Sequence, residues 1–83
     1  MHELQLIESL VEILEKAAVS DDVGNVEEVR LEVGELRYVV PEIMENCFKH
    51  FPKSDKLKDA KLIMEMIPGG KEIMVKGIEY TEA

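Results

Sequence analysis

Met1, His2 and Glu3 form the densest set of potential metal donors in the chain. A free chain start offers its amine, the His2 backbone nitrogen once that has lost its proton, and the His2 imidazole. These nitrogens can close adjacent five- and six-membered chelate rings around one ion, with a fourth donor from the Glu3 backbone or another group. A square-planar nitrogen set suits nickel(II) or copper(II), whereas magnesium and calcium prefer oxygen and gain little from it. Protons compete for the same nitrogens, so such a grip should loosen as pH falls through about 6.5, where a free imidazole titrates. A Met-His start is also what an unstructured terminus looks like, so the motif alone identifies nothing.

The remaining donors read differently. Cys47 is the only cysteine, which excludes an intrachain disulfide and a zinc site built from four thiolates of one chain. Its place on an apolar helical stripe marks it as a core thiol. His50 follows Lys49 near an expected helix end and reads as solvated or capping. Glu27, Glu28, Glu32 and Glu35 read as a solvated strand face, and Met44, Met64, Met66 and Met74 fall at core-compatible positions. Nothing resembles a nucleophile with its base, a phosphate loop or a paired general acid and base, so the chain is not expected to be an enzyme.

The elements that must position these groups follow from hydrophobic periodicity. Leu4, Ile7, Leu10, Val11, Leu14 and Ala18 recur at three- and four-residue steps, which predicts an amphipathic helix over residues 3–18. Glu3 suits its positive end, and Glu12 can pair with Lys16 one turn on. Turn formers between Ser20 and Asn25 end it. A period of two then places Val29, Leu31 and Val33 on one face and Glu28, Arg30 and Glu32 on the other, predicting a strand over residues 27–34. Pro41 opens a second helix reaching residue 51, with Val40, Ile43, Met44, Cys47, Phe48 and Phe51 as its inward stripe. After a Lys- and Asp-rich connection, residues 62–67 read as a strand, with Leu62, Met64 and Met66 competing against Ile63 and Ile67 for the inner face. Pro68, Gly69, Gly70 and Lys71 signal a tight turn into a β-prone run over residues 72–80, so the last two strands are expected to form an antiparallel hairpin.

The order helix, strand, helix, strand, strand implies an α+β fold: a three-stranded mixed sheet with two helices on one face. A right-handed crossover through the second helix would make the first two strands parallel. At 83 residues the chain has material for one core, since proteins near this size bury only about 60–65% of their unfolded surface. A content of 46% hydrophobic and 34% charged residues is far from that of disordered chains. A net charge of -8 with dispersed lysines argues against nucleic acid as a partner. No segment approaches the roughly 20 apolar residues of a membrane span, and the start lacks a basic region with an apolar run, so no membrane association and a cytoplasmic location are expected.

The opening "MHELQLIESLVEIL", the central "VRLEVGEL", the following "VVPEIMENCF" and the closing "VKGIEY" together resemble the HypA family, over nearly the whole chain. That resemblance implies a metallochaperone that carries nickel for maturation of nickel-iron hydrogenase, with a HypB-type nickel GTPase and the hydrogenase large-subunit precursor as partners. It places Met1, His2 and Glu3 on the family's opening nickel motif, with the Met1 amine and His2 imidazole as donors and Glu3 giving backbone or supporting contacts. The family also carries a zinc-binding insertion with two Cys-x-x-Cys pairs between the last two strands. Residues 68–71 stand in its place here, so residues 1–83 read as a nickel-binding domain whose zinc module is replaced by a short turn, and zinc is not expected in this chain. A homodimer is compatible with the sequence. The competing expectation is a small acidic α+β protein-interaction module without a metal function.

Overall fold

The computed structural model describes residues 3–83. The first helix, α1 (Glu3–Ala18), buries Ile7, Leu10, Val11, Leu14 and Ala18, the spacing expected of one helical stripe. Its Lys16–Glu12 pair forms at 3.3 Å on the solvent side, where exposure limits it to a few tenths of a kcal/mol. The chain turns as the Val23 N–H donates to the Ser20 carbonyl and enters β1 (Val23–Gly34).

That strand begins four residues earlier than the period-two pattern indicates. Gly24 and Asn25 serve a close strand approach and not a turn: the Asn25 N–H donates to Thr81 Oγ1 at 2.9 Å. A side chain at position 24 would come within 2.8 Å of the same hydroxyl. The register with the neighbouring strand shifts here, so Val23, Val26 and Val29 all end up buried although they are three residues apart.

A single 3-10 turn (Glu35–Arg37) leads to α2 (Pro41–His50), then β2 (Lys61–Ile67) and β3 (Ile73–Glu82). The sheet order is β2-β1-β3. Val29 and Leu31 lie opposite Leu62 and Met64 in a parallel pairing, with α2 in the connection, as the expected topology requires. On the other side β3 is antiparallel, setting Val29 against Ile78 and Val33 against Ile73. The α+β fold with its three-stranded mixed sheet is thus the one the element order implies.

The expected hairpin between β2 and β3 does not form, because β1 lies between them. Pro68 and Gly69 do make a turn, closed by the Gly70 N–H on the Ile67 carbonyl, with Gly69 at φ 73°. The chain then crosses the end of β1 instead of folding back on β2. Gly34 donates to the Glu72 carbonyl at 2.7 Å and Leu36 to the Gly70 carbonyl at 2.9 Å. A Cβ on Gly34 would lie 2.4 Å from the Gly70 carbonyl carbon, so only glycine permits this crossing. The central place falls to the longest strand, whose Val26, Val29, Leu31 and Val33 are all buried.

The core joins α1 and β1 to Met44 and Phe48 of α2, Leu62 of β2, and two residues outside regular elements, Val39 and Leu57. Leu57, fully buried, is the apolar plug of the polar connection between α2 and β2. Leu62 faces inward with Met64 half-buried behind it, while Ile63 faces out, which settles the inner face of β2. On the open sheet face Arg30 pairs with Glu79 at 3.0 Å and Glu28 at 3.6 Å, and Lys76 with Glu32 at 3.8 Å.

Three stripe residues do not reach the core: Leu4, Val40 and Ile43 are exposed, as are Met66 and Met74. Phe51 is the C-cap of α2 and not its last residue, and Phe51 and Cys47 are only half-buried. The two helices run side by side in the same direction. Glu3 at the start of α1 meets Val40 at the start of α2, and Glu15 near the end of α1 meets Ser54 just beyond α2.

Candidate functional site

Met1 and His2 lie outside the described residues, and Glu3 is where the candidate site joins the fold. Glu3 occupies the first turn of α1 and is 8% exposed, unusual burial for a carboxylate. Its Oε2 accepts a long hydrogen bond, 3.5 Å, from the Val40 N–H. The reason lies in the start of α2. Val40 is the N-cap and has no side-chain oxygen to offer, and the third helical residue is Ile43, where a capping box would place Glu or Gln to reach back to the N-cap N–H. Glu3 supplies that acceptor from the other helix. It thereby places a carboxylate at the adjoining positive ends of two helices, a favourable position for an anion.

The Glu3 carboxylate is thus engaged on the protein side. Among the described residues, no group of three or more His, Cys, Asp or Glu side chains is gathered to hold a metal ion.

The loop that carries Val40 has a feature the sequence did not signal. Tyr38 follows the 3-10 turn with φ 54° and ψ 36°, the left-handed region, and is 72% exposed. That conformation is strained for a bulky side chain. The buried Val39 and the Tyr38 N–H, bonded to the Glu35 carbonyl at 3.2 Å, hold it in place. Position 38 carries no glycine or asparagine, so nothing in the residue types announced it.

The other singled-out residues stay apart from this end. Cys47 is half-buried one helical turn beyond Ile43 and lines a shallow groove with Glu42, Ile43, Glu45, Asn46 and Lys49. His50 is exposed in the last turn of α2. Glu27 and Glu28 line an open cleft with Asp55 and Asp59, where Lys56 and Lys61 offset their charge. Lys53, unremarked in the sequence, caps the far end of α2: its ammonium donates to the Phe48 carbonyl, to Phe51 O at 3.0 Å and to Lys49 O at 3.4 Å. It also sits 4.8 Å over the Phe48 ring. Burial pushes its titration below the ordinary lysine value, against an opposing pull from Glu15.

No helix among the described residues is long and apolar enough to cross a membrane. Residues 1–80 match a family model described as hydrogenase/urease nickel incorporation, metallochaperone, HypA. A hydrogenase maturation factor HypA of Geobacter metallireducens is 39% identical over 84 residues, covering 93% of this chain and 74% of the relative. A namesake from Campylobacter jejuni is 35% identical, covering 82% of this chain and 60% of the relative. One from Geobacter sp. strain M21 is 42% identical, with 83% and 60% covered. The chain thus spans only about three-fifths of the length of most of these relatives. The fold is shared with the solution structure of the nickel metallochaperone HypA from Helicobacter pylori, at a TM-score of 0.76 and 17% identity, with 98% of each chain covered.

Proposed function

This chain belongs to the HypA family of nickel-incorporation metallochaperones, and on that premise we propose that it carries nickel(II) as cargo at its first three residues and delivers it for maturation of nickel-iron hydrogenase. The Met1 amine and the His2 imidazole are the principal donors. The His2 backbone nitrogen completes the chelate, and Glu3 contributes its backbone. The observation that carries this reading is the inward turn of the Glu3 carboxylate onto Val40. It anchors the start of α1 against α2, so donors two residues upstream begin from a fixed point, which lowers the entropy lost when they converge on an ion.

The role is carriage and not bond-making catalysis. The recipients are a HypB-type nickel GTPase and, through it, the hydrogenase large-subunit precursor, in the cytoplasm. On this reading the short turn at residues 68–71 stands in place of the family's zinc module, and the 83 residues are a nickel-binding domain in which no resident zinc is expected. Metal analysis of the purified chain tests that part: one tightly bound zinc per chain would overturn it.

Nickel titration by calorimetry tests the grip itself, using the native chain, His2→Ala and a chain with one extra N-terminal residue. The native chain should bind one nickel, and both altered chains should lose most of that affinity, because each removes or displaces a donor. Equal binding by all three, or none by the native chain at neutral pH, sinks the proposal.

A further inference from the structure

The two edges of the sheet are unlike. Both β2 and β3 pair only with β1. On β3, Gly77 lies opposite Arg30 and Val75 opposite Leu31, so Lys76 is an extra residue and the ladder breaks there. A bulge that carries a lysine is a common way of keeping an edge strand from taking up another strand. β2 has no such break. Its residues from Lys61 to Ile67 match Glu28 to Gly34 one for one, with neither proline nor glycine among them. Among the described residues, the only backbone bond that β2 makes outside the sheet is that of the Gly70 N–H on the Ile67 carbonyl. An edge strand turns the backbone groups of alternate residues away from its neighbour, so β2 presents a regular row of donors and acceptors to the outside.

The charge beside that edge also departs from the rest of the molecule. Five lysines and two aspartates between residues 49 and 61 give that stretch +3, which leaves -11 on the remainder of a chain of net charge -8. Lys53 and Lys56 are engaged with helix-end carbonyls. Lys49, Lys58 and Lys61 are exposed, and none pairs with a carboxylate among the described residues. These three line one cleft between the second half of α2 and β2, with Ile63 beside them and Glu45 and Asp59 as its carboxylates.

We propose that this cleft is a docking site for an extended acidic segment of another protein, which adds a fourth strand along the outer edge of β2. Backbone bonds to β2 supply affinity that is indifferent to sequence, and the side chains around the edge select the segment. Lys61 and Ile63 lie opposite Glu28 and Arg30, on the open face of the sheet. A matching segment therefore carries Asp or Glu two residues from an apolar side chain on that face, and further carboxylates for Lys49 and Lys58. A second copy of this chain fits less well. A two-fold contact uses one patch twice, so it would bring the lysines and α2 of one copy toward those of the other. The inference is independent of the nickel reading, because the second half of α2 builds the cleft, whereas Glu3 meets Val40 at the start of that helix.

The test titrates the whole chain, without nickel, with a capped peptide of alternating Glu and Val and follows the amide NMR spectrum. Saturable binding below about 1 mM is expected, with the largest shifts in β2 and at Lys58. Lys58→Glu combined with Lys61→Glu should weaken it at least about tenfold. Lys16→Glu combined with Lys76→Glu makes the same change in net charge on other exposed surfaces and should weaken it by less than about threefold. The same peptide with every backbone nitrogen methylated keeps its carboxylates but loses its donors, and should not bind. Absence of binding by the first peptide overturns the inference, as does equal binding by the methylated peptide or by a short oligothymidylate. An equal loss in the Lys16 and Lys76 variant would reduce the effect to net charge and overturn it too. So would a dimer of the native chain that the Lys58 and Lys61 changes dissolve, since the edge would then belong to a second copy.

Discussion

The two ends of the helix pair are built in opposite ways. Where α1 and α2 finish, polar groups are heavily engaged. Lys56 donates to Ala18 O at 2.8 Å and Ser20 O at 3.3 Å, Glu15 takes hydrogen bonds from both the Ser54 N–H and hydroxyl, and Lys53 caps α2. Two lysines thus sit at the negative ends of two helices, where the dipoles favour them. Where the helices begin, one long bond from Val40 to Glu3 joins them, and apolar side chains face outward. The closed end holds the fold together with satisfied polar contacts. The open end leaves apolar side chains exposed and is joined by a single side-chain contact among the described residues, and it is there that the proposed nickel grip would attach.

The strongest test of this contrast asks whether the ends share one core. Phe48, 2% exposed, packs between the helices and the sheet and lies under Lys53. Phe48→Ala should cost about 3–5 kcal/mol, the usual price of an aromatic-sized cavity. Urea unfolding should stay a single transition with an unchanged slope. A variant in which amides of the second turn of α1, the first with intrahelical acceptors, keep their exchange protection while those of α2 lose it would show that the open end is stable on its own, and the contrast would have to be redrawn.

Gly34→Ala probes the open end alone. The added methyl would meet the Gly70 backbone, so either β1 or the crossing at residues 68–72 must shift. Overpacking of this kind costs about 1–3 kcal/mol. Hydrogen exchange should speed up at Gly34 and Leu36, whose N–H groups bond the crossing, and remain unchanged at Val26, which bonds Lys56 O near the closed end. Equal loosening at both places would argue that the crossing is not a local feature.

The crossing also marks where sequence reasoning stopped. The periodicity of Ile7, Leu10, Val11 and Leu14 and the alternation of Val29, Leu31 and Val33 read directly as buried faces, because those residues have the same partners all along the element. The Pro-Gly turn was legible too, but a turn specifies a local reversal and says nothing of which strand the chain meets next. That depended on Gly34, 36 residues before Gly70, and on the buried demand of β1 for partners on both sides. Leu57 was hidden because one apolar residue in a polar connection carries no period. Leu4 and Ile43 kept the helical spacing of core residues, yet spacing cannot distinguish a face that meets the core from one that stays exposed. The donor types at Met1, His2 and Glu3 were readable, whereas the Val40 contact of Glu3 spans 37 residues and was not.

Glu3 separates anchoring from ligation at the open end. Glu3→Gln keeps an oxygen that can accept from the Val40 N–H but removes the charge at the two helix starts. The stability loss should be at most about 1 kcal/mol, in the range of helix-dipole and capping effects. Nickel affinity should fall far less than in His2→Ala, because the backbone donor survives. A loss as large as that of His2→Ala would make the carboxylate itself a ligand and remove its role as an anchor.

The smallest expected effect belongs to the closed end and appears only in alkali. Desolvation holds the Lys53 titration below the ordinary value of 10.5, although Glu15 partly opposes it. The folded chain therefore binds this proton less tightly than the unfolded chain. In the window between the lowered value and 10.5 the unfolded state carries more protons, so the Lys53 contribution to stability rises with pH. Below that window the desolvation penalty is fully present, and above it both states are neutral at this side chain. Self-repulsion of the acidic chain acts in the opposite direction in every variant, so the measurable quantity is the difference between the native chain and Lys53→Met. That difference in urea midpoint should shift in favour of the native chain as pH climbs toward 10.5. A shift in favour of Lys53→Met would mean that the carbonyls of Phe48 and Phe51 stabilise the ammonium more than burial penalises it. The cap at the closed end would then be stronger than its burial implies.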